Sequence, residues 1–157
     1  MSEKDEYFMF RALAAAEKGR RNGQTPFGAC IVKNGKIVAC THNKVWSNTD
    51  ITAHAEITAI RAACKKLKSI DLSGCTIYST TEPCPMCFSA CHWARIDKIV
   101  YGASISDAKK AGFNELQISD AHLKKEGKLS VKLEGAFLKK ENQALFRKWC
   151  AMKHKGY

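Results

Sequence analysis

Two cysteines in the segment EPCPMC, residues 82–87, have a spacing that suits metal binding or redox chemistry. Cys84 and Cys87 lie three positions apart, and Pro85 between them favours the first position of a helix. The first sulfur is therefore expected at a helix start and the second in the first turn, where unpaired N–H groups favour thiolates. Zinc binds thiolates, but a single C-x-x-C also occurs in redox pairs and by chance.

A histidine and a glutamate earlier in the chain extend this pattern. The segment TAHAE places His54 and Glu56 at the start of another predicted helix. Together with the two cysteines, His54 gives three protein ligands and leaves the fourth tetrahedral position to water, as in catalytic zinc sites. Zinc lowers the pKa of bound water to about 7, which makes hydroxide available as a nucleophile in neutral solution. A carboxylate such as Glu56 can take the water's proton and pass it to the substrate.

Two residues beyond the cysteine pair could instead close the zinc site and make it structural. Cys91 lies one turn after Cys87 on the same predicted helix, and His92 follows it. We interpret Cys91 as a core residue, on a stripe with Cys87 and Phe88, and His92 as a surface histidine. Glu56 could be an ordinary first-turn acid, but its place beside a candidate ligand favours the proton-transfer role.

Length and composition predict one domain in a reducing compartment. A chain of 157 residues can form a core without disulfides, so most of its eight cysteines are interpreted as small buried side chains. The first residues, MSEKDEYFMF, lack the cleavage site of a secretory signal, and no apolar run approaches the roughly 18 residues that span a bilayer. We therefore expect residues 1–157 to form a single cytoplasmic domain without membrane contact.

The net charge of +11 is compatible with a nucleic-acid partner. The lysines are nevertheless dispersed along the chain, and no aromatic residue is interleaved with a basic run, as a base-stacking groove requires. The pattern therefore favours solvated basic faces, with a polyanion partner as the alternative.

Periodicity and turn residues predict an α/β fold. Predicted helices cover residues 3–21, 52–68, 85–94, 106–112 and 141–152, and predicted strands cover 27–32, 36–42, 75–80, 98–103 and 129–135. Thr52 is assigned as the cap of the second helix, and no period is clear in residues 113–130. Because strands joined through helices need helices on both faces of the sheet, this order predicts a three-layer α/β/α sandwich with a five-stranded mixed sheet.

The two motifs resemble those of the cytidine deaminase superfamily, whose signature joins H-x-E to P-C-x-x-C. The likeness covers nearly the whole chain, through TPFGACIVKNGKIV, THNKVWSNTDITAHAEITAIRAACK, EPCPMC and HWAR. Within the superfamily, the Pro26-Phe27-Gly28 triplet, the segment DAKKAGF and the terminal tyrosine are most similar to bacterial guanine deaminases. The resemblance implies a cytidine deaminase-like fold, one zinc ion per subunit and hydrolytic deamination of a purine base, with guanine converted to xanthine and ammonia.

The resemblance also implies a role for each position that matches the family's site. The implied zinc ligands are His54, Cys84 and Cys87, the implied catalytic acids are Glu56 and Glu115, and the implied substrate contacts are Phe27, Asn43, Ala55, Trp93 and Tyr157. Among these, Glu56 is the proton shuttle and Tyr157 covers the pocket. In that family the terminal residue comes from a domain-swapped partner, so a homodimer with an exchanged C-terminal segment is expected.

Glu115 departs from the family pattern and leaves the substrate open. The guanine deaminases carry an aspartate pair where this chain has Asn114-Glu115, and one extra methylene changes the reach of the carboxylate. The alternatives are a related nucleoside or aminated ring, such as guanosine or cytosine, and a tRNA adenosine deaminase. Phe27 and Tyr157 would crowd a flipped nucleotide, which argues against tRNA. A non-enzymatic, zinc-stabilised module is the third hypothesis.

Overall fold

The structure is a computed structural model that describes residues 2–152 and 156–157. Its helices are α1 Glu3–Arg21, α2 Val45–Asn48, α3 Ala55–Leu67, α4 Pro85–Trp93, α5 Ile105–Lys110, α6 Asp120–Glu126 and α7 Lys139–Cys150. Its strands are β1 Gly28–Lys33, β2 Lys36–His42, β3 Cys75–Thr81, β4 Lys98–Ala103 and β5 Lys132–Glu134. No helix among these residues is long and apolar enough to cross a membrane.

The strands form one five-stranded sheet in the order β2-β1-β3-β4-β5. The first three strands pair antiparallel, whereas β3, β4 and β5 pair parallel. The β3–β4 connection runs through α4, as parallel neighbours require a crossover. The predicted five-stranded mixed sheet is therefore confirmed.

Helices cover both faces of the sheet, which confirms the predicted layers. On one face, Phe8 and Met9 of α1 pack against Tyr78 and Val100, and α7 contacts both α1 and β4. On the other face, α3 and α4 form a larger apolar cluster with the sheet. Its buried members include Ala59, Ala63, Phe88, Cys91, Ile31, Ile77 and Ile99.

Close packing fixes the entrance to β1 beside the end of β3. Gly28 lies against α1 so tightly that a Cβ atom there would come within 2.2 Å of the Ala12 carbonyl oxygen. The Gly28 N–H also donates to Thr80 Oγ1 at 3.1 Å. These contacts hold the preceding residue, Phe27, at the carboxyl end of β3, where ligands of α/β sheets commonly bind.

Two local predictions were wrong, and two short helices were not predicted. The assigned cap of α3 is one: the helix begins at Ala55 with His54 as its N-cap, because Thr52 Oγ1 donates to Asp50 Oδ1 at 2.6 Å instead. The short helix α2 was not predicted, and the aperiodic residues 113–130 contain α6. The last strand is also shorter than predicted and covers only Lys132–Glu134.

Candidate active site

The three candidate ligands lie at the N-termini of two helices. His54 is the N-cap of α3 and Cys84 is the N-cap of α4, and both have extended backbone angles. Neither side chain makes a capping hydrogen bond, so both are free to point away from their own helix. Cys87 follows in the first turn of α4, as the sequence predicts, and is fully buried.

The donor atoms of these residues are spaced for a tetrahedral zinc ion. His54 Nδ1 lies 3.6 Å from Cys84 Sγ and 3.5 Å from Cys87 Sγ. Ordinary zinc–nitrogen and zinc–sulfur bonds at a tetrahedral angle give a nitrogen–sulfur separation of about 3.6 Å. The three residues therefore form a potential metal site whose donor chemistry and spacing both fit zinc.

The two sulfurs influence the pKa values of each other in opposite directions. The hydrogen bond from Cys87, together with His54, lowers the pKa of Cys84 to about 4, although burial opposes this. The same bond and burial raise the pKa of Cys87 well above its usual range. A cation favours the thiolate form of both sulfurs, so metal binding here would release a proton.

Glu56 lies beside this metal site without belonging to it. Its side chain is buried, and Oε1 accepts a hydrogen bond from Ser79 Oγ at 2.6 Å. Burial raises the pKa of Glu56, while the His54 charge and the Ser79 hydrogen bond oppose that rise. A carboxyl group with a raised pKa and one fixed oxygen is suited to gain and lose a proton at a set position.

A cavity of about 310 Å³ adjoins the metal site and the buried carboxyl group. This volume is at the lower end of the range for small-molecule pockets. Six of the predicted site residues line it: Phe27, His54, Glu56, Cys84, Glu115 and Tyr157. The cavity therefore brings two of the three candidate ligands, both candidate acids and two candidate substrate contacts to one place.

Tyr157 closes one side of the cavity. Asn43 Nδ2 donates to Tyr157 Oη at 2.6 Å, and Thr25 Oγ1 lies 3.4 Å from the same oxygen. The tyrosine ring lies 5.9 Å from the His54 ring and 6.3 Å from the Phe113 ring. Burial raises the pKa of Tyr157 to about 12, so the phenol stays neutral. The terminal residue of the chain is thus part of the cavity wall.

A comparison with protein families agrees with this geometry. Residues 2–103, which include the candidate zinc ligands, match the family described as the cytidine and deoxycytidylate deaminase zinc-binding region. The chain belongs to this zinc-dependent deaminase family. Its fold, its cofactor and its class of reaction, the hydrolytic removal of an amino group, follow from that membership.

Relatives of this deaminase act on different substrates. Guanine deaminase from Bacillus subtilis is 48% identical over 111 residues, covering 70% of this chain and 71% of the relative. The tRNA-specific adenosine deaminase of Aquifex aeolicus is 45% identical over 98 residues, covering 62% of this chain and 65% of the relative. The solved structure of guanine deaminase from Nitrosomonas europaea has a TM-score of 0.87 at 27% identity, covering 94% of this chain and 85% of that one. These similarities leave the substrate to be argued from the site.

Two of the predicted substrate contacts, Asn43 and Ala55, lie behind the cavity wall rather than on it. Asn43 is fully buried beside the cavity, where its Oδ1 accepts from the Val45 N–H and its Nδ2 donates to Tyr157. Ala55 is also fully buried, and its carbonyl accepts from Thr41 Oγ1 at 2.9 Å. Neither residue lines the cavity wall.

Trp93 is not brought to the cavity of this deaminase. Its side chain is 80% exposed at the C-terminal end of α4, whereas Cys84 caps the N-terminal end of that helix. Nine helical residues separate the two ends by about 13 Å. Its predicted contact with the substrate therefore has no support from the geometry of this single chain.

Glu115, the residue that departs from the family pattern, lies on the cavity wall. It belongs to the segment between α5 and α6, and its side chain is half-buried. Burial, followed by the negative charge of Cys84, raises the pKa of Glu115 to about 7. A carboxyl group in this position can hold a proton at neutral pH and give it to a departing amine.

Sequence reasoning missed two residues that shape this cavity. Phe113 meets the Phe27 ring edge-on at 4.8 Å and stacks on Trp149 at 5.7 Å, which joins the cavity wall to α7. Glu82 lines the cavity with its carboxylate buried. Phe113 belongs to the AGF segment, which serves in the sequence analysis only as a family marker. Glu82 precedes Pro83-Cys84, and no hydrophobic period in the sequence indicates that this acid is buried.

Proposed function

We propose that this deaminase hydrolyses a free purine base, converting guanine and water to xanthine and ammonia. The observation that carries the proposal is the cover over the cavity. Tyr157 is held by Asn43 and lies against Phe113 and His54, so the space beside the metal site is small and aromatic-walled. A flat base fits such a space, whereas a nucleotide within a polynucleotide also needs an open path for its backbone.

The residues of the site have separate roles in this proposal. A zinc ion held by His54, Cys84 and Cys87 would make water nucleophilic at neutral pH. Glu56 takes a proton from that water and delivers it to the ring nitrogen next to the attacked carbon. Ser79 keeps the Glu56 carboxyl group oriented during both transfers. Glu115, on the cavity wall, gives a proton to the departing amine, which leaves as ammonia when its bond to carbon breaks. The hydroxyl proton of that carbon is released as the carbonyl forms and restores the proton of Glu115.

Tyr157 and Phe27 position the base in this proposal. Phe27 and Phe113 form an edge-to-face pair that presents aromatic surface to a planar ring. Asn43 is engaged with Tyr157 rather than pointing freely into the cavity, so its contact with the purine edge would be made together with the tyrosine. The exchange of the C-terminal segment between two copies stays a prediction, since Tyr157 here closes the cavity of its own chain.

A tRNA adenosine deaminase is the second candidate function. It is favoured by the net charge of +11 and by the 45% identity to the Aquifex aeolicus enzyme. Phosphate contacts would make its binding to tRNA fall steeply with added salt. This candidate requires Tyr157 to leave the position that it occupies in the structure.

The substrate proposal is tested by measuring ammonia release from a panel of guanine, guanosine, adenine, cytosine and cytidine, and inosine formation in tRNA. We expect turnover of guanine and little of the nucleosides, because a ribose has no room beneath the aromatic cover. Turnover of another base without guanine would reject guanine as substrate and keep the deaminase chemistry. Inosine in tRNA, together with salt-sensitive binding, would favour the second candidate.

Replacing Tyr157 by alanine is expected to raise the KM for guanine by about tenfold, equivalent to about 1.4 kcal/mol of binding. The change removes the ring that contacts His54 and Phe113 and lets water into the cavity. Steady-state kinetics measures the effect, and Tyr7→Ala, the same change at an exposed position on α1, is a matched control. An unchanged KM would show that the terminal tyrosine does not cover the bound base.

A further inference from the structure

The buried carboxylate of Glu82 joins three parts of the chain. Its Oε2 accepts a hydrogen bond from the Ile105 N–H at 3.1 Å, and its Oε1 accepts one from the Asp120 N–H at 3.0 Å. Its own backbone N–H donates to the Ala103 carbonyl at 2.8 Å. Glu82 is only 7% exposed and lies two residues before Cys84, so it links the segment of a candidate zinc ligand to two later helices.

The two donors are the first residues of their helices. Ile105 begins α5 and Asp120 begins α6, where N–H groups have no partner within the helix. The N-cap serines, Ser104 and Ser119, accept hydrogen bonds from N–H groups further into each helix. Glu82 therefore accepts from one of the N–H groups at each helix start that the serine side chain does not reach.

The segment between these two helices carries Glu115. Its backbone hydrogen bonds include Glu115 N–H to the Phe113 carbonyl and Ile118 N–H to the Leu116 carbonyl, both local to the segment. Such short-range bonds shape a loop without placing it relative to the rest of the molecule. Two contacts reach the segment from distant residues: the Asn114 N–H donates to the Tyr157 carbonyl at 3.3 Å, and the Phe113 ring meets Phe27 at 4.8 Å. The Glu82 carboxylate adds a hydrogen bond to the first residue of each flanking helix.

We infer that Glu82 is a positioning residue, which holds both ends of the Glu115 segment and so sets the place of Glu115 relative to the zinc ligands. The inference rests on the proposed part of Glu115 in deamination. A shift of about 1 Å in a reacting group can cost 100-fold in rate, so an anchor at both ends of the segment matters for turnover.

Asp120 provides a way to separate this hydrogen bond from general packing. Its carboxyl group is fully buried, and neither of its oxygens has a hydrogen-bond partner. Burial, followed by the nearby charge of Glu82, raises the pKa of Asp120 to about 9, so its side chain is neutral at pH 7. Asparagine is therefore a close substitute for the side chain and leaves the backbone N–H in place.

Proline at the same position removes the backbone N–H and also replaces the buried carboxyl side chain by its ring. Asp120 is the first residue of α6, a position where proline is well tolerated. Ser119 before it has φ −72° and ψ 153°, the extended conformation that a following proline requires. Asp120→Ala, measured beside these two variants, loses the carboxyl group and keeps the N–H. Asp120→Ala and Asp120→Pro therefore differ mainly in the hydrogen bond to Glu82, and an equal loss of kcat in both would assign the effect to the side chain.

The experiment compares Glu82→Gln, Asp120→Pro, Asp120→Ala and Asp120→Asn with the zinc-loaded wild-type chain. Glutamine replaces one acceptor oxygen by an NH₂ group, which cannot bind an N–H donor. We expect amide exchange in residues 105–120 to be about tenfold faster in Glu82→Gln and Asp120→Pro, because a charge-assisted hydrogen bond is lost. We expect kcat to fall by about tenfold to 100-fold with KM changed less than about threefold, since proton delivery is disturbed more than binding. Asp120→Asn should match the wild type.

Three results would overturn the inference. One is unchanged exchange in residues 105–120 in both Glu82→Gln and Asp120→Pro. Another is an equal loss of kcat in Asp120→Ala and Asp120→Pro, which would assign the effect to the buried side chain. The third is loss of zinc from Glu82→Gln, which would place its action on Cys84 instead. If Glu82→Gln does not fold, the three Asp120 variants decide alone.

This test separates the positioning role of Glu82 from the identity of the substrate. Amide exchange needs no substrate, so it reports on Glu82 even where guanine is not turned over. The kinetic comparison uses whichever compound the wild-type chain deaminates. Faster exchange with unchanged kcat would reject the link to catalysis, whereas a failed guanine assay with both effects intact would reject guanine alone.

Discussion

The Glu56→Gln variant is expected to keep one zinc ion per chain and to lose between about 100-fold and 10,000-fold in kcat. Glutamine has nearly the shape of glutamate and can still accept the hydrogen bond from Ser79, so the buried packing is preserved. An amide cannot take a proton from water, and the transfer from water to the ring nitrogen in the proposed reaction passes through this group. Metal analysis and ammonia release under saturating substrate measure the two effects separately.

The matched control is Glu126→Gln, the same chemical change at an exposed position at the end of α6. It should leave zinc content and turnover unchanged. Full activity in Glu56→Gln would contradict the proposed proton transfer and favour a zinc-stabilised module without this chemistry. Loss of zinc in Glu56→Gln would instead indicate that Glu56 is a ligand, although the group of three closely spaced donor atoms does not include it.

The regular parts of the fold could be predicted because their sequence patterns reflect burial directly. The helix Glu3–Arg21 and the strands around the Asn34-Gly35 turn have clear apolar periods, and both turn residues adopt the positive φ angles that favour this pair. Residues 113–130 have no such period, because the segment is held by contacts with distant residues. Tyr157, Phe27 and Glu82 supply those contacts, and none is a neighbour in sequence.

The candidate site could be predicted where residue type and local structure agree. His54 and Cys84 both occur at predicted helix starts, and the structure places both at N-caps. Burial of an acid cannot be predicted in the same way, because Glu82 and Asp120 have side chains that are normally exposed. Only the tertiary structure shows that two helix starts supply the N–H donors that allow Glu82 to be buried.

Long-range placement also explains the different outcomes for two predicted aromatic contacts. Phe27 enters the cavity because Gly28 is packed against α1 and fixes the strand entrance. The prediction that Trp93 contacts the substrate rests on the family resemblance alone. Trp93 lies at the C-terminal end of α4, far from the cavity at the other end of that helix. A residue close in sequence to a ligand is thus not necessarily close to the reacting atoms.

The Cys87→Ala variant is expected to lose its zinc ion and with it all measurable deamination. Cys87 Sγ lies 3.5 Å from His54 Nδ1, inside the three-donor group, and Cys84 supplies the only other sulfur of that group among the described residues. Loss of a residue that only supports a ligand typically weakens metal binding by about 10-fold to 100-fold. Removing a ligand itself should weaken zinc binding by more than that. Zinc content after dialysis and ammonia release measure this directly. Unfolding at a lower temperature should accompany the loss, because bound metal stabilises the folded chain.

Cys91→Ala provides the control on the same helix, one turn further on. Cys91 is only 1% exposed and packs in the apolar cluster beneath α4, so alanine there should cost about 1 kcal/mol of stability through lost packing. Its zinc content and kcat should remain those of the wild type. Retention of zinc by Cys87→Ala, or its loss from Cys91→Ala, would show that the metal is held by a different set of residues. The two alanine variants remove the same atoms, so a difference in zinc content between them isolates coordination from packing.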